Sequence, residues 1–238
     1  MCGRMTMRTN PSELARIFDA EVRDQDLLDE LGSRYNVAPT QPIPVVVQRD
    51  DGRAIELHRW GLVPSWATTP AAGARMINAR AETVATSPAF RASFGRRRCV
   101  IPADGFYEWR REGRRRQPFL IHRAADEPLA FAGLWSPWRD PSTGDWLLSA
   151  AVVTTAANAT VRQLHDRMPV ILGEDEWPLW IDPEITDPGL LSDLLRPAPD
   201  GLLELRAVSP LVNNASNEGP ELLVAPEALA EAPLTLFG

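Results

Sequence analysis

Lysine is absent from this 238-residue chain, and all 25 basic residues are arginine. No side-chain amine can therefore form a Schiff base with a carbonyl compound, which leaves the amine at the N-terminus for such chemistry. Cysteine is scarce as well. Cys2 and Cys99 are too few for a disulfide framework or a cysteine-based zinc site, although a single Cys2–Cys99 bridge stays open. Histidine occurs only at His58, His122 and His165. No apolar stretch approaches membrane-spanning length, and no charged segment leads into an apolar run at the N-terminus. These absences point to a soluble, reduced, cytoplasmic protein that needs no metal and no cofactor.

What is present suits a folded domain. The chain is 44% hydrophobic, enough for a proper core. Its formal net charge is −7, unevenly spread. Residues 75–123 hold 12 arginines against four acids, and residues 173–238 hold two arginines against 13 acids. That asymmetry suits a basic binding face with an acidic remainder. The bland alternative is that Arg96–Arg98 and Arg114–Arg116 are solvated hairpin ends.

Local signals alternate between strand and helix. Asn10-Pro11-Ser12-Glu13 reads as a capped helix start, running to about Ala20. Val22–Leu31 is an acidic short helix or loop. Asp50-Asp51-Gly52 between two β-rich runs predicts a hairpin. Pro64–Gly73 reads as a loop carrying Trp66, and Ser87-Pro88 opens a helix that Gly95 ends. Strands follow at about Arg98–Ile101, Gly105–Arg110, Phe119–Arg123, Ala130–Trp135 and Leu147–Thr154. Asn158 caps a short helix, Met168–Leu172 is a strand, and Glu174–Ile181 and Gly189–Arg196 are helical. Leu203–Val208 is a further strand. The expectation is one α+β domain over residues 2–238, mainly antiparallel β in barrel-like sheets with flanking helices, its last ten or so residues a tail.

Cys2 is the most informative residue. Methionine is commonly trimmed before a small residue, and trimming Met1 would leave a free α-amine beside a thiol. The amine titrates near pH ~7.7–8.0 and the thiol near ~8.5, so both offer nucleophilic forms around neutrality. Such a 1,2-aminothiol can form an imine with an aldehyde and close a five-membered thiazolidine through sulfur.

Other segments place reactive residues at turns and strand ends: Tyr35-Asn36-Val37-Ala38-Pro39, Ile77-Asn78-Ala79-Arg80, Glu108-Trp109 and His165-Asp166-Arg167-Met168-Pro169. In this order, beginning from Met1-Cys2-Gly3-Arg4, they make a specific combination that resembles the SRAP family (SOS response-associated peptidases, or abasic-site processing proteins). The resemblance covers nearly the whole chain, up to Val212-Asn213-Asn214. It implies that processed Cys2 traps abasic sites in single-stranded DNA as a covalent crosslink. The expected form is a monomer, nucleoid-associated if the source is bacterial.

The family match also suggests roles. Glu108 resembles the catalytic glutamate, and Asn78 the asparagine that holds the sugar or the Cys2 amine. His165 can hydrogen-bond the ring oxygen or hydroxyl of a deoxyribose and help open it to the aldehyde. Arg4, Arg80 and Arg167 match positions placed to grip phosphates, as a guanidinium fork does well. Asn36 belongs to the same expected DNA face. Trp66 could stack a base, although Ala67 stands where several relatives carry a second aromatic. His58, His122 and Cys99 read as structural. Two other functions compete: a cysteine autopeptidase with Cys2 as nucleophile and His165 as base, and a non-covalent single-strand-binding module.

Overall fold

The computed structural model describes residues 2–23, 32–113 and 115–226. Among the described residues thirteen strands are formed: β1 Met5–Met7, β2 Glu21–Val22, β3 Arg34–Val37, β4 Pro42–Arg49, β5 Gly52–Trp60, β6 Asn78–Arg80, β7 Arg98–Ala103, β8 Gly105–Glu112, β9 Arg115–Arg123, β10 Leu129–Arg139, β11 Trp146–Ala156, β12 Arg167–Pro169 and β13 Leu203–Ala207. They build two sheets. The smaller runs β13-β9-β8-β1-β3 and the larger β12-β11-β10-β7-β4-β5-β2. β11 also pairs in parallel with β5, so β11, β10, β7, β4 and β5 return on themselves as a barrel-like ring. The expected α+β architecture is present.

β4 and β5 form the expected hairpin, with Arg49 opposite Gly52 around a two-residue turn. The near-continuous apolar run of β4 has a simple cause: both faces are covered. Val45 and Val47 face the core that contains Cys2, Met5 and Phe106. Val46 faces a second core with Phe18, Trp177 and Trp180. The helix Pro11–Phe18 closes that second side. The Asn10 side chain accepts from the Glu13 N–H at 2.9 Å, Leu14 and Phe18 bury one face, and Phe18 packs edge-on against Trp177.

Several boundaries differ from expectation. The second helix covers only Arg91–Arg96, because Thr83, Thr86 and Ser87 first turn the chain through their own hydrogen bonds. The helix expected from Glu174 begins at Trp177. The strand expected at Met168–Leu172 is β12, followed by one isolated bridge between Phe131 and Ile171. β2, Glu21–Val22, overlaps the segment read as helix or loop at Val22. Residues 24–31 of that segment, and the expected C-terminal tail, lie outside the described residues. Both cysteines are free and buried, so no Cys2–Cys99 bridge forms. Among the described residues, no helix is long and apolar enough to cross a membrane.

Candidate active site

Residues 2–4 lead into β1, which lies between β8 and β3. The Tyr107 N–H donates to the Arg4 carbonyl at 3.0 Å, and Met5 pairs with Phe106. Carried on, that register sets Gly3 opposite Glu108. Cys2 itself is buried. From the other sheet, β6 runs parallel to β11 with Asn78 opposite Val152. The Asn78 side-chain amide donates to the Cys2 carbonyl at 2.7 Å. Its own oxygen is buried with no hydrogen-bond partner among the described residues, so it remains an acceptor for a donor in the site.

Glu108 is 5% exposed. Burial pushes its carboxyl above the usual range, while the positive amino terminus and His165 pull the other way. His165 follows the short helix Ala159–Arg162, which Asn158 caps by accepting from the Val161 N–H at 3.0 Å. Its Nδ1 accepts the Arg167 N–H at 2.9 Å, which in the neutral ring leaves the proton on Nε2. The Asp166 carboxylate lies 2.8 Å from the same Nδ1 and competes for it once the ring is charged. Burial first, and then the charge of Glu108, push the Cys2 thiol far up. The four residues expected to do chemistry therefore come from β6, β8, β12's approach and the N-terminal segment, and they converge.

The expected DNA-binding residues divide. Arg80 ends β6 and is exposed. Trp66 is 63% exposed, so its indole faces solvent. Arg167 forks onto both carboxylate oxygens of Glu82 and donates to the Thr154 carbonyl at 2.6 Å. Arg4 donates to the Asn36 side chain at 2.6 Å and to the Val212 carbonyl at 3.0 Å. Asn36 is a correction. It is 0% exposed, and its amide donates to the carbonyls of Asn214 and Asn217 at 2.9 and 3.0 Å. It has no surface to offer a strand; it ties residues 212–217 to β3. A second correction concerns the arginine clusters. Arg98 is 2% exposed and donates to the carbonyls of Phe94, Gly95, Trp180, Asp182 and Ile185, so it belongs to the interior and not to a basic face. His58 and His122 are buried, as their structural reading expected. Glu82 was missed as a partner for Arg167, although it stands only two residues past Arg80.

A family model described as SOS response associated peptidase (SRAP) matches residues 1–215. The chain belongs to the SRAP family. It is 39% identical over 225 residues to the abasic site processing protein YoqW of Bacillus subtilis, covering 94% of this chain and 99% of the relative. It is 33% identical over 227 residues to YedK of Escherichia coli, also called an abasic site processing protein, with 94% and 99% covered. HMCES of Xenopus tropicalis, under the same description, is 31% identical with 94% and 78% covered. A solved structure from Bacteroides thetaiotaomicron shares the fold at a TM-score of 0.85 and 22% identity, over 94% of this chain and 99% of that one.

Proposed function

We propose that this SRAP protein processes abasic sites in single-stranded DNA by capturing the ring-opened aldehyde on Cys2 once Met1 is removed. The observation that carries the reading is the 2.7 Å hydrogen bond from Asn78 to the Cys2 carbonyl, beside the buried carboxyl of Glu108. It anchors the N-terminal residue by its backbone and leaves its amine and thiol for reaction.

In this reading, His165 gives a proton from Nε2 to the deoxyribose ring oxygen as the C1′–O4′ bond breaks, and the anomeric hydroxyl gives up its proton to solvent, which leaves the C1′ aldehyde. The Cys2 amine adds to the carbonyl carbon to give a carbinolamine. Glu108, whose neutral form burial favours, gives a proton to the leaving hydroxyl, and water departs as the imine forms. The thiol then adds to the imine carbon, its proton passes to nitrogen, and the thiazolidine closes. A closed ring lacks the imine's easy route to β-elimination, so the strand is protected. If closure fails, the same imine gives lyase chemistry. Arg80, and Arg167 when Glu82 yields it, grip phosphates, and Trp66 stacks a neighbouring base.

A thiol autopeptidase would need the Cys2 thiolate, and burial together with the Glu108 charge opposes that form. A non-covalent binding module would be indifferent to Cys2→Ala. Intact mass and denaturing gels separate the three. The mass should lack one methionine, and the protein should form a heat-stable adduct with an abasic single strand. Cys2→Ala should form none, and Cys2→Ser should form one only after borohydride trapping. A stable Cys2→Ala adduct without reductant would overturn the chemistry.

A further inference from the structure

The β8–β9 hairpin runs on past the site, and nothing in the proposed chemistry uses its outer half. Residues 110–116 hold five arginines against one acid, Glu112. With Gly3 opposite Glu108, the N-terminal segment flanks β8 only to about Trp109. Among the described residues, no strand pairs with β8 beyond that point on this side. The outer hairpin is thus an arm that begins level with the nucleophile and projects past it.

Its arginines are placed at a cost to the fold. Arg111 lies directly opposite Arg116, and both are exposed. Opposed side chains in such a ladder stand about 5 Å apart at Cβ, where like charges repel. The ion pairs among the described residues are made by other arginines, so no described carboxylate relieves the pair. On the other face, Arg110 stands two residues past Glu108, so their side chains share that face. Glu108 is buried and Arg110 is exposed. The Arg110 guanidinium lies 4.5 Å from the centroid of Phe119, the residue opposite Glu108. The face that closes over Glu108 therefore opens at Arg110, about 7 Å further along the strand.

We infer that this arm binds the phosphates of the single strand that flanks the abasic site. Arg110 takes the phosphate nearest Glu108, and Arg111 and Arg116 take those further out. The inference rests on the reading of Cys2 as the abasic-site nucleophile. A strand held at Cys2 leaves it as a row of negative charges, and the arm begins where that row begins. A guanidinium fork pairs two oxygens of one phosphate. Bound phosphate also removes the repulsion that the free hairpin carries between Arg111 and Arg116.

The test joins two measurements on Arg116→Glu, because the proposal gives them opposite signs. The substitution sets a carboxylate opposite Arg111, so thermal melts should show a more stable protein. Anisotropy with a long undamaged oligothymidine should show weaker binding, with the slope of log K against log salt reduced by about 0.7 or more, the share of one phosphate contact. Arg111→Ala should lower the slope by about 0.7 without adding a carboxylate. An oligothymidine too short to reach the arm should not distinguish either variant from wild type. If both variants bind the long strand with wild-type affinity and slope, the arm is a solvated hairpin end and the proposal fails. It fails equally if Arg116→Glu loses binding only together with a lower melting temperature while Arg111→Ala keeps the wild-type slope. The oligothymidine carries no aldehyde. A wild-type protein that binds it but does not crosslink an abasic strand would therefore count against the Cys2 reading alone.

Discussion

Replacing Glu108 by Gln should make the protein more stable at neutral pH and slower to react. The folded-state pKa is raised chiefly by burial. Below the ordinary glutamate pKa of about 4.3 the carboxyl is neutral folded or unfolded and burial carries no charge penalty. As pH rises through the raised folded pKa, the ionised form is stranded in a dry site and stability is lost. The gain from Glu108→Gln should therefore appear above that pKa and vanish near pH 4, as thermal melts across pH would report. Glu56 should behave with the opposite sign. Burial raises its pKa, but hydrogen bonds from His58 and Arg49 outweigh it and hold the group at about 2. Glu56→Gln should cost stability at neutral pH, and the cost should fade as pH drops from about 4.3 toward 2. In crosslinking, Glu108→Gln and His165→Ala should each be slowed about 10²–10⁴-fold. Only His165→Ala should be partly rescued by a substrate whose aldehyde cannot cyclise. An equal defect on that substrate would remove His165 from ring opening.

Two glycines close the neck of the loop that carries Trp66. Gly61 has φ +124°, and a Cβ on it would collide with the Gly73 carbonyl. A Cβ on Gly73 would in turn meet the Gly61 carbonyl. Both contacts are with backbone, so neither can be relieved by a side-chain rotation. Gly73→Ala should displace the loop and weaken single-strand binding while the two sheets persist, checked by anisotropy beside far-UV circular dichroism. Asn36→Ala should act on stability instead. It would strip the part-buried carbonyls of Asn214 and Asn217 of their donor, at a cost of about 1–3 kcal/mol by urea denaturation. Much of this scale was legible in the sequence. The hairpin at Asp50-Asp51-Gly52, the caps at Asn10 and Asn158 and the strands that carry Glu108 and His165's neighbours follow from local chemistry. The parallel pairing of β11 with β5 and β6 was not legible, because it joins residues some 75 to 90 apart and leaves no periodic trace. Asn36 was misread for a related reason: a motif marks a residue as special but does not say whether it faces a ligand or the chain's own carbonyls.

Charge is the property of the whole molecule that bears most on DNA. Binding should weaken steeply with salt, and Arg80→Ala should lower the slope of log K against log salt by about 0.7, the share of one phosphate contact on a single strand. Arg80 is the cleaner probe, since Arg167 is already paired with Glu82. A slope unchanged by Arg80→Ala would place the strand elsewhere. Counting arginines along the sequence overstated the basic face, because burial was invisible to the count and Arg98 holds interior carbonyls.

The site draws on residues 2, 78, 108 and 165, so its nucleophile is the first part to be synthesised and its histidine the last. At about 5–20 residues per second, roughly 10–30 s of translation separate them. On the proposed chemistry, a trimmed nascent chain carries a reactive amino terminus for that time without the fold that reserves it for DNA. Any small aldehyde in the cell could cap it before the barrel closes. Protein synthesised in the presence of formaldehyde should then carry the mass of a capped terminus, whereas folded protein exposed afterwards should carry less.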